Sequence, residues 1–236
     1  MVVPLDPPYL EFAFYVGIQK AREQGIRAAE LLVQNGAAFV GEIDIVEDGT
    51  VSRLSSIDFA SLKEVGAKTE LRRIYLQGVT GITKHTELVE INKGTVLLRT
   101  EGEKFSGPNR ANRSRLHKLG AKAYVCFKAL AGGIDAYYGG LCGEYSLEEP
   151  EELRQHPKSL AFRNFFVSRA KLAGAAQTVR INAGVDAYFE EFDHGLYVSM
   201  SAEFNPAHCS VDPIEAQYRS VRIAEGLLGY LKPTLH

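Results

Sequence analysis

Two sets of side chains in this sequence could do chemistry. The first is a scatter of carboxylates. Asp44 has Glu42 two positions before it, and the stretch "GVDAYFEEFDHG" at 184–195 carries Asp186, with Glu203 in the run that follows. Carboxylates that share a site push each other's pKa values apart, which suits acid–base work or metal ligation, so Asp44, Asp186 and Glu203 are the catalytic candidates. The second is a block of cations. Lys104, Arg110, Arg113, Arg115, Lys118, Lys122 and Lys128 occur with no Asp or Glu between Lys104 and Ile134. Guanidinium forks match phosphate and carboxylate oxygens, so Lys104, Arg110, Arg113, Arg115 and Lys118 are the anion-binding candidates. An acidic run follows at Glu144, Glu148, Glu149, Glu151 and Glu152. Segregated charge of this kind belongs to solvated surface or to a contact with a partner.

Other catalytic signatures are missing. The chain has no GxSxG, GxxxxGK[ST], helix-opening GxGxxG or HExxH. His208-Cys209 and Asp212 lack a second ligand pair at metal spacing, and His85, His117 and His156 each stand alone, so no metal site and no cofactor are expected. A helix closing on glycine, followed by "GEIDIVEDG", resembles the opening of PD-(D/E)xK nuclease domains. That resemblance implies Asp44 as a Mg²⁺ ligand, with Glu42 on the same strand face. The next strand, "TVSRLSSIDF", has no Glu-x-Lys, so half of that site is missing.

The composition is that of a globular protein, with 45% apolar and 24% charged residues. Three cysteines, Cys126, Cys142 and Cys209, without CxxC spacing argue against a disulfide framework. "MVVPLDPPYLEF" lacks a basic n-region, and no apolar run reaches the ~20 residues that span a bilayer. These features lead to the expectation of a cytoplasmic protein without membrane contact.

The elements that must position these side chains read as α+β, in one domain over 1–236. Residues 9–35 carry an apolar stripe at helical steps and close on Asn35-Gly36. Hairpins turn at Asp48-Gly49 and at Asn92-Lys93-Gly94, with "LRRIYLQGV" as a strand between them. Segment 102–121 reads as a loop with one helical turn near Ser114, "AYVCFKAL" as a strand, "EEPEELRQHPKS" as a polar connection and 159–175 as a helix. The last helix has Asp212 as cap, Pro213 at its first position and Glu215 three residues after the cap. The expected fold is therefore a largely antiparallel sheet of β-hairpins, packed by a long N-terminal helix, a helix near 159–175 and a C-terminal helix.

The acidic stretch at 184–195 reads as part of a hairpin. Apolar residues alternate over 179–189 and again over 196–204, so Phe189 should pair with Val198 and Val185 with Ala202, turning through Phe192-Asp193-His194-Gly195. Asp186, Tyr188 and Glu190 then share a face with Tyr197 and Ser199, and that face is expected to be solvated. The phrase "GIDAYYGG" at 133–140 echoes "GVDAYFEE". Tyr137, Tyr138, Tyr188 and Tyr197 could line a small-molecule pocket. The leading expectation is a binding or assembly protein whose basic (104–128) and acidic (144–152) segments contact a protein partner, a second copy in a homo-oligomer, or an anionic ligand. The alternative is a metal-dependent hydrolase or nuclease, with Mg²⁺, acting on a phosphorylated or nucleic-acid substrate.

Overall fold

A computed structural model of the chain describes residues 9–78, 86–101, 113–143, 147, 149–155, 161–192 and 194–231. In chain order its elements are β1 (Tyr9–Tyr15), α1 (Ala21–Gln34), β2 (Ala38–Glu47), β3 (Thr50–Ser55), α2 (Leu62–Lys68), β4 (Glu70–Gln77), β5 (Thr86–Asn92) and β6 (Thr95–Glu101). There follow α3 (Arg113–Gly133), β7 (Tyr138–Gly143), α4 (Pro150–Gln155), β8 (Asn164–Ser168), α5 (Ala175–Ala183), β9 (Tyr188–Phe192), β10 (Gly195–Ser199) and α6 (Pro213–Leu228). The ten described strands make one antiparallel sheet in the order β3-β2-β4-β5-β6-β1-β7-β8-β10-β9. The fold is mixed α+β, with an N-terminal and a C-terminal helix.

Local signals set several elements. The β2–β3 hairpin turns through Asp48 and Gly49 at φ 50° and 76°, the left-handed pair that a two-residue turn of this twist needs. The β5–β6 hairpin joins Asn92 to Thr95 through Lys93 and Gly94. Asp212 caps α6 by accepting from the backbone N–H groups of Ile214 and Glu215 at 2.9 and 3.2 Å. Asn35 closes α1 with its side-chain amide on the Leu31 carbonyl, 2.7 Å away.

Five segments depart from the sequence reading, the first being the polar connection expected at 148–159, within which Pro150–Gln155 forms α4. The expected helix over 9–35 begins only at Ala21, because 9–15 is a strand in the middle of the sheet between β6 and β7. Residues 10–16 are all buried, and a strand covered on both faces reads as a continuous apolar run, which periodicity does not separate from a helix. Of the loop expected over 102–121 and the strand over 123–130, residues 102–112 lie outside the described residues and the remainder is one helix, α3. Its stripe of Leu116, Gly120, Ala123, Phe127, Leu130 and Ile134 falls at helical steps, and Tyr124 and Phe127 carry it onto the sheet. Of the helix expected at 159–175, residues 159–160 lie outside the described residues; a short 3₁₀ turn at 161–163 leads into strand β8, and α5 begins only at Ala175. The strand expected over 179–189 is α5 in its first half, so Val185 stands fully exposed instead of pairing with Ala202. Phe189 does pair with Val198, and β9 and β10 close at Phe192 and Gly195. Asp193, assigned to that turn, lies outside the described residues.

Two apolar cores lie on opposite faces of the sheet. One joins α1 and α3 to Phe12, Phe14, Ile43, Ile74, Val89, Leu98 and Tyr197. The other packs α5 and α6 on Ala13, Tyr138, Phe165, Val167, Leu196 and Val198. Each fully buried Phe or Leu contributes roughly 1.5–3 kcal/mol, so these two layers fix the helices in place. The echoed phrases are matching helix-to-strand junctions. Gly133 ends α3 before β7, and Gly184 (φ 82°) follows α5 before β9, with Ala136 and Ala187 buried in each.

Candidate functional site

Helix α3 brings the basic candidates onto one surface. Arg115, Lys118, Lys122, Val125 and Ala129 recur at steps of three and four, so they form a stripe along its outer side. Arg115 and Lys118 are exposed, and Val125 is 65% exposed, which is unusual for a branched apolar side chain beside a core. The stripe runs into a cleft of about 340 Å³ between α1 and α3, lined by Leu31, Leu32, Ala121, Val125, Cys126 and Leu130. Arg113 opens α3, whereas Lys104 and Arg110 lie outside the described residues. The described part of the acidic run has local roles. Glu149 accepts from the Gly94 backbone N–H at 3.0 Å, and Glu151 pairs with Arg154.

The inner side of α3 covers the sheet face that the sequence reading left to solvent. Glu190 accepts from Tyr124 and Lys128 of α3 and from the Tyr188 hydroxyl. Burial raises its carboxyl above the ordinary range. The ring of Tyr197 lies 5.0 Å from that of Tyr124, and its hydroxyl donates to the Phe204 carbonyl at 2.8 Å. Gly120 lets the helix approach so closely that a Cβ there would stand 1.9 Å from the Glu203 carbonyl oxygen. At the helix's N-terminal end His117 meets His208, Nδ1 to Nδ1 at 2.7 Å.

The three catalytic candidates occupy separate places. Asp186 pairs with Arg219 of α6, which holds its carboxyl below the usual range. Glu203 sits on the 3₁₀ turn at Ala202–Phe204 against α3, on the opposite side of the sheet from α6. Asp44 lies on β2, second in the strand order, and β9 is last, eight strand steps or about 38 Å along the sheet at ~4.8 Å per strand. The four tyrosines divide similarly, with Tyr137 and Tyr138 on the α5–α6 side and Tyr188 and Tyr197 beneath α3.

Asp44 belongs to a set of side chains that the sequence reading did not assemble. Across β1, β6, β5, β4, β2 and β3, Glu11, Arg99, Glu90, Arg73, Asp44 and Arg53 follow one another in alternating sign, each directly opposite the next except Arg99 and Glu90, which are diagonal. Arg99 reaches Glu11 and Glu90, both at 2.7 Å, and Arg53 reaches Asp44 at 2.9 Å. Tyr75 donates to Asp44 at 2.7 Å, and burial together with that carboxylate pushes its phenol up to about 12. Glu11, Glu90 and Asp44 are buried at 3–5% exposure beneath the longer guanidinium side chains. Burial raises the Glu11 carboxyl, against the pull of Arg99. Opposite charges directly across strands stabilise a sheet, so this row does structural work and leaves Asp44 committed to Arg53 and Tyr75. Its signal was present in part, since the β5–β6 hairpin sets Glu90 and Arg99 diagonally on one face.

No family model matches this sequence, and no curated protein matches it. Among solved structures, the Pseudomonas aeruginosa T6SS protein PA0821 is similar over 96% of this chain and 75% of its own, at 11% identity and a TM-score of 0.46. At that distance any functional reading rests on this chain's own residues. No described helix is long and apolar enough to cross a membrane.

Proposed function

We propose that this is a binding protein whose α3 face and α1–α3 cleft take an acidic, amphipathic helix of a partner protein. One observation supports the reading above the rest. A 21-residue helix without any Asp or Glu presents Arg115, Lys118 and Lys122 in line with an apolar cleft and an exposed Val125. Helix-in-groove recognition uses apolar anchors at three- and four-residue spacing in such a cleft, with charges on its rim. A sequence pI near 6.3 and an apolar cleft favour protein over nucleic acid as the occupant.

The test uses a fluorescein-labelled peptide of about 18 residues with Leu at helical spacing and Glu elsewhere. An oligonucleotide of single-stranded DNA serves as the competing probe. Wild type should bind the peptide and lose affinity as salt rises. The R115E/K118E/K122E variant should bind about 10–100-fold more weakly, at roughly 0.5–1 kcal/mol per rim charge. V125D should weaken binding at every salt concentration. Equal peptide affinity in wild type and both variants, or binding of the oligonucleotide alone, would overturn the proposal.

A further inference from the structure

His117 on α3 and His208 on the loop before α6 are 91 positions apart in sequence, and their Nδ1 atoms are 2.7 Å apart. Their ring centroids are 4.4 Å apart, with planes at 60°. A head-on N–H···N bond of that length would hold the centroids about 5 Å apart. Two imidazoles on adjacent corners of a square or octahedral ion, at metal–nitrogen bonds of ~2.0–2.1 Å, have nitrogens about 2.9 Å apart and centroids about 4.5 Å apart. A tetrahedral ion at the same bond length separates the nitrogens by about 3.3 Å. Both observed separations lie within about 0.2 Å of the right-angled values.

The elements holding the pair are fixed. Asn205, 3% exposed, ties the loop by donating its two N–H groups to Ser201 O and Cys209 O, both at 2.9 Å, while its own oxygen accepts from the Cys209 N–H at 3.0 Å. On that loop His208 is held at φ 52°, a left-handed conformation that costs a non-glycine residue about 1–2 kcal/mol. His117 is fixed by the seating of Gly120 on the Glu203 carbonyl, one helical turn further along α3. The Ala202 carbonyl oxygen lies 3.2 Å from His208 Nδ1. That oxygen can only accept.

We propose that His117 and His208 form a bis-imidazole site for a divalent transition-metal ion of tetragonal preference, copper(II) or nickel(II) ahead of zinc. No third His, Cys, Asp or Glu completes a larger group among the described residues, so water fills the remaining positions. His208 is exposed and His117 half-buried, which leaves the ion open to solvent. Exposed Arg115 and Lys118 nearby on α3 oppose the added charge and keep the affinity modest.

The experiment titrates the untagged full chain with CuCl₂, NiCl₂ and ZnCl₂ and records the copper spectrum by electron paramagnetic resonance. One equivalent should bind, with hyperfine splitting from two nitrogens, and each ion should raise the melting temperature. His117→Ala and His208→Asn should each lower affinity at least tenfold, and asparagine tolerates the left-handed backbone at 208, so that variant keeps its loop. His194→Ala, on the β9–β10 turn, should bind as wild type does. Failure of wild type to bind, a spectrum without two nitrogens, or equal binding by the His117→Ala/His208→Asn double variant would overturn the assignment.

Discussion

Two glycines of one helix should respond in opposite ways to the same substitution. Gly→Ala in a helix interior gains about 0.5–1 kcal/mol, since alanine loses less backbone entropy on folding. At Gly132, the penultimate residue of α3, a Cβ meets nothing within 4 Å, so Gly132→Ala should keep part of that gain and raise the melting temperature by about 1–2 °C at ~2–4 °C per kcal/mol. At Gly120 the new Cβ would stand 1.9 Å from the Glu203 carbonyl oxygen and 2.7 Å from its carbon. Those are backbone atoms, and real Cβ contacts keep well beyond 3 Å, so α3 or the Ala202–Phe204 turn must move by an ångström or more. Forced shifts of that kind cost about 1–3 kcal/mol, which exceeds the propensity gain. Gly120→Ala should therefore lower the melting temperature by a few degrees. It should also displace His117 from His208 and loosen Tyr124 and Lys128 from Glu190. Thermal unfolding followed by circular dichroism reads the two signs directly. If Gly120→Ala stabilised as much as Gly132→Ala, α3 would not be seated on that turn, and the closure of the sheet face by α3 would have to be abandoned.

Other perturbations follow from the charge row and the junctions. Tyr75→Phe deletes the hydroxyl that donates to Asp44, and a charge-assisted bond of that kind should cost about 1.5–3 kcal/mol in urea unfolding. A change under 0.5 kcal/mol would mean the row is not tightly made. Glu11 has its carboxyl raised above the ordinary 4.5 by burial, so the folded state holds that proton more tightly than the unfolded chain does. Wild type should then lose stability relative to Glu11→Gln as pH climbs from about 4.5, and level off once the carboxyl has ionised; parallel pH profiles of the two proteins would contradict this. Asp135 behaves in the opposite sense. Hydrogen bonds from Lys171 and Lys20 lower its carboxyl, so its contribution is present at neutral pH and disappears as pH falls below the ordinary carboxylate range. Because that site is part exposed, Asp135→Asn should cost no more than about 1 kcal/mol at pH 7 and nothing at pH 2, as read by urea midpoints at each pH.

The sequence by itself determined what depends on neighbours along the chain. Asp48-Gly49 and Lys93-Gly94 set two hairpin turns through backbone conformations open to those residues, and Asp212-Pro213 starts α6 through a cap that reaches only three residues. The pairing of Phe189 with Val198 was legible because a one-residue slip would reverse every side chain across the two faces. The tertiary structure decided what depends on burial from two sides. "YLEFAFY" is a strand because β6 and β7 cover its edges and two cores cover its faces, a setting that removes the alternation a half-buried strand shows. Residues 113–133 are a helix because their apolar stripe, interrupted by Gly120, finds the sheet and the Ala202–Phe204 turn to pack on. The same packing converts an open polar face into the Tyr124–Glu190–Lys128 contact, and it brings His117 to His208 across 91 residues. No spacing in the sequence encodes that meeting, because it is set by where a long helix docks and not by any local repeat.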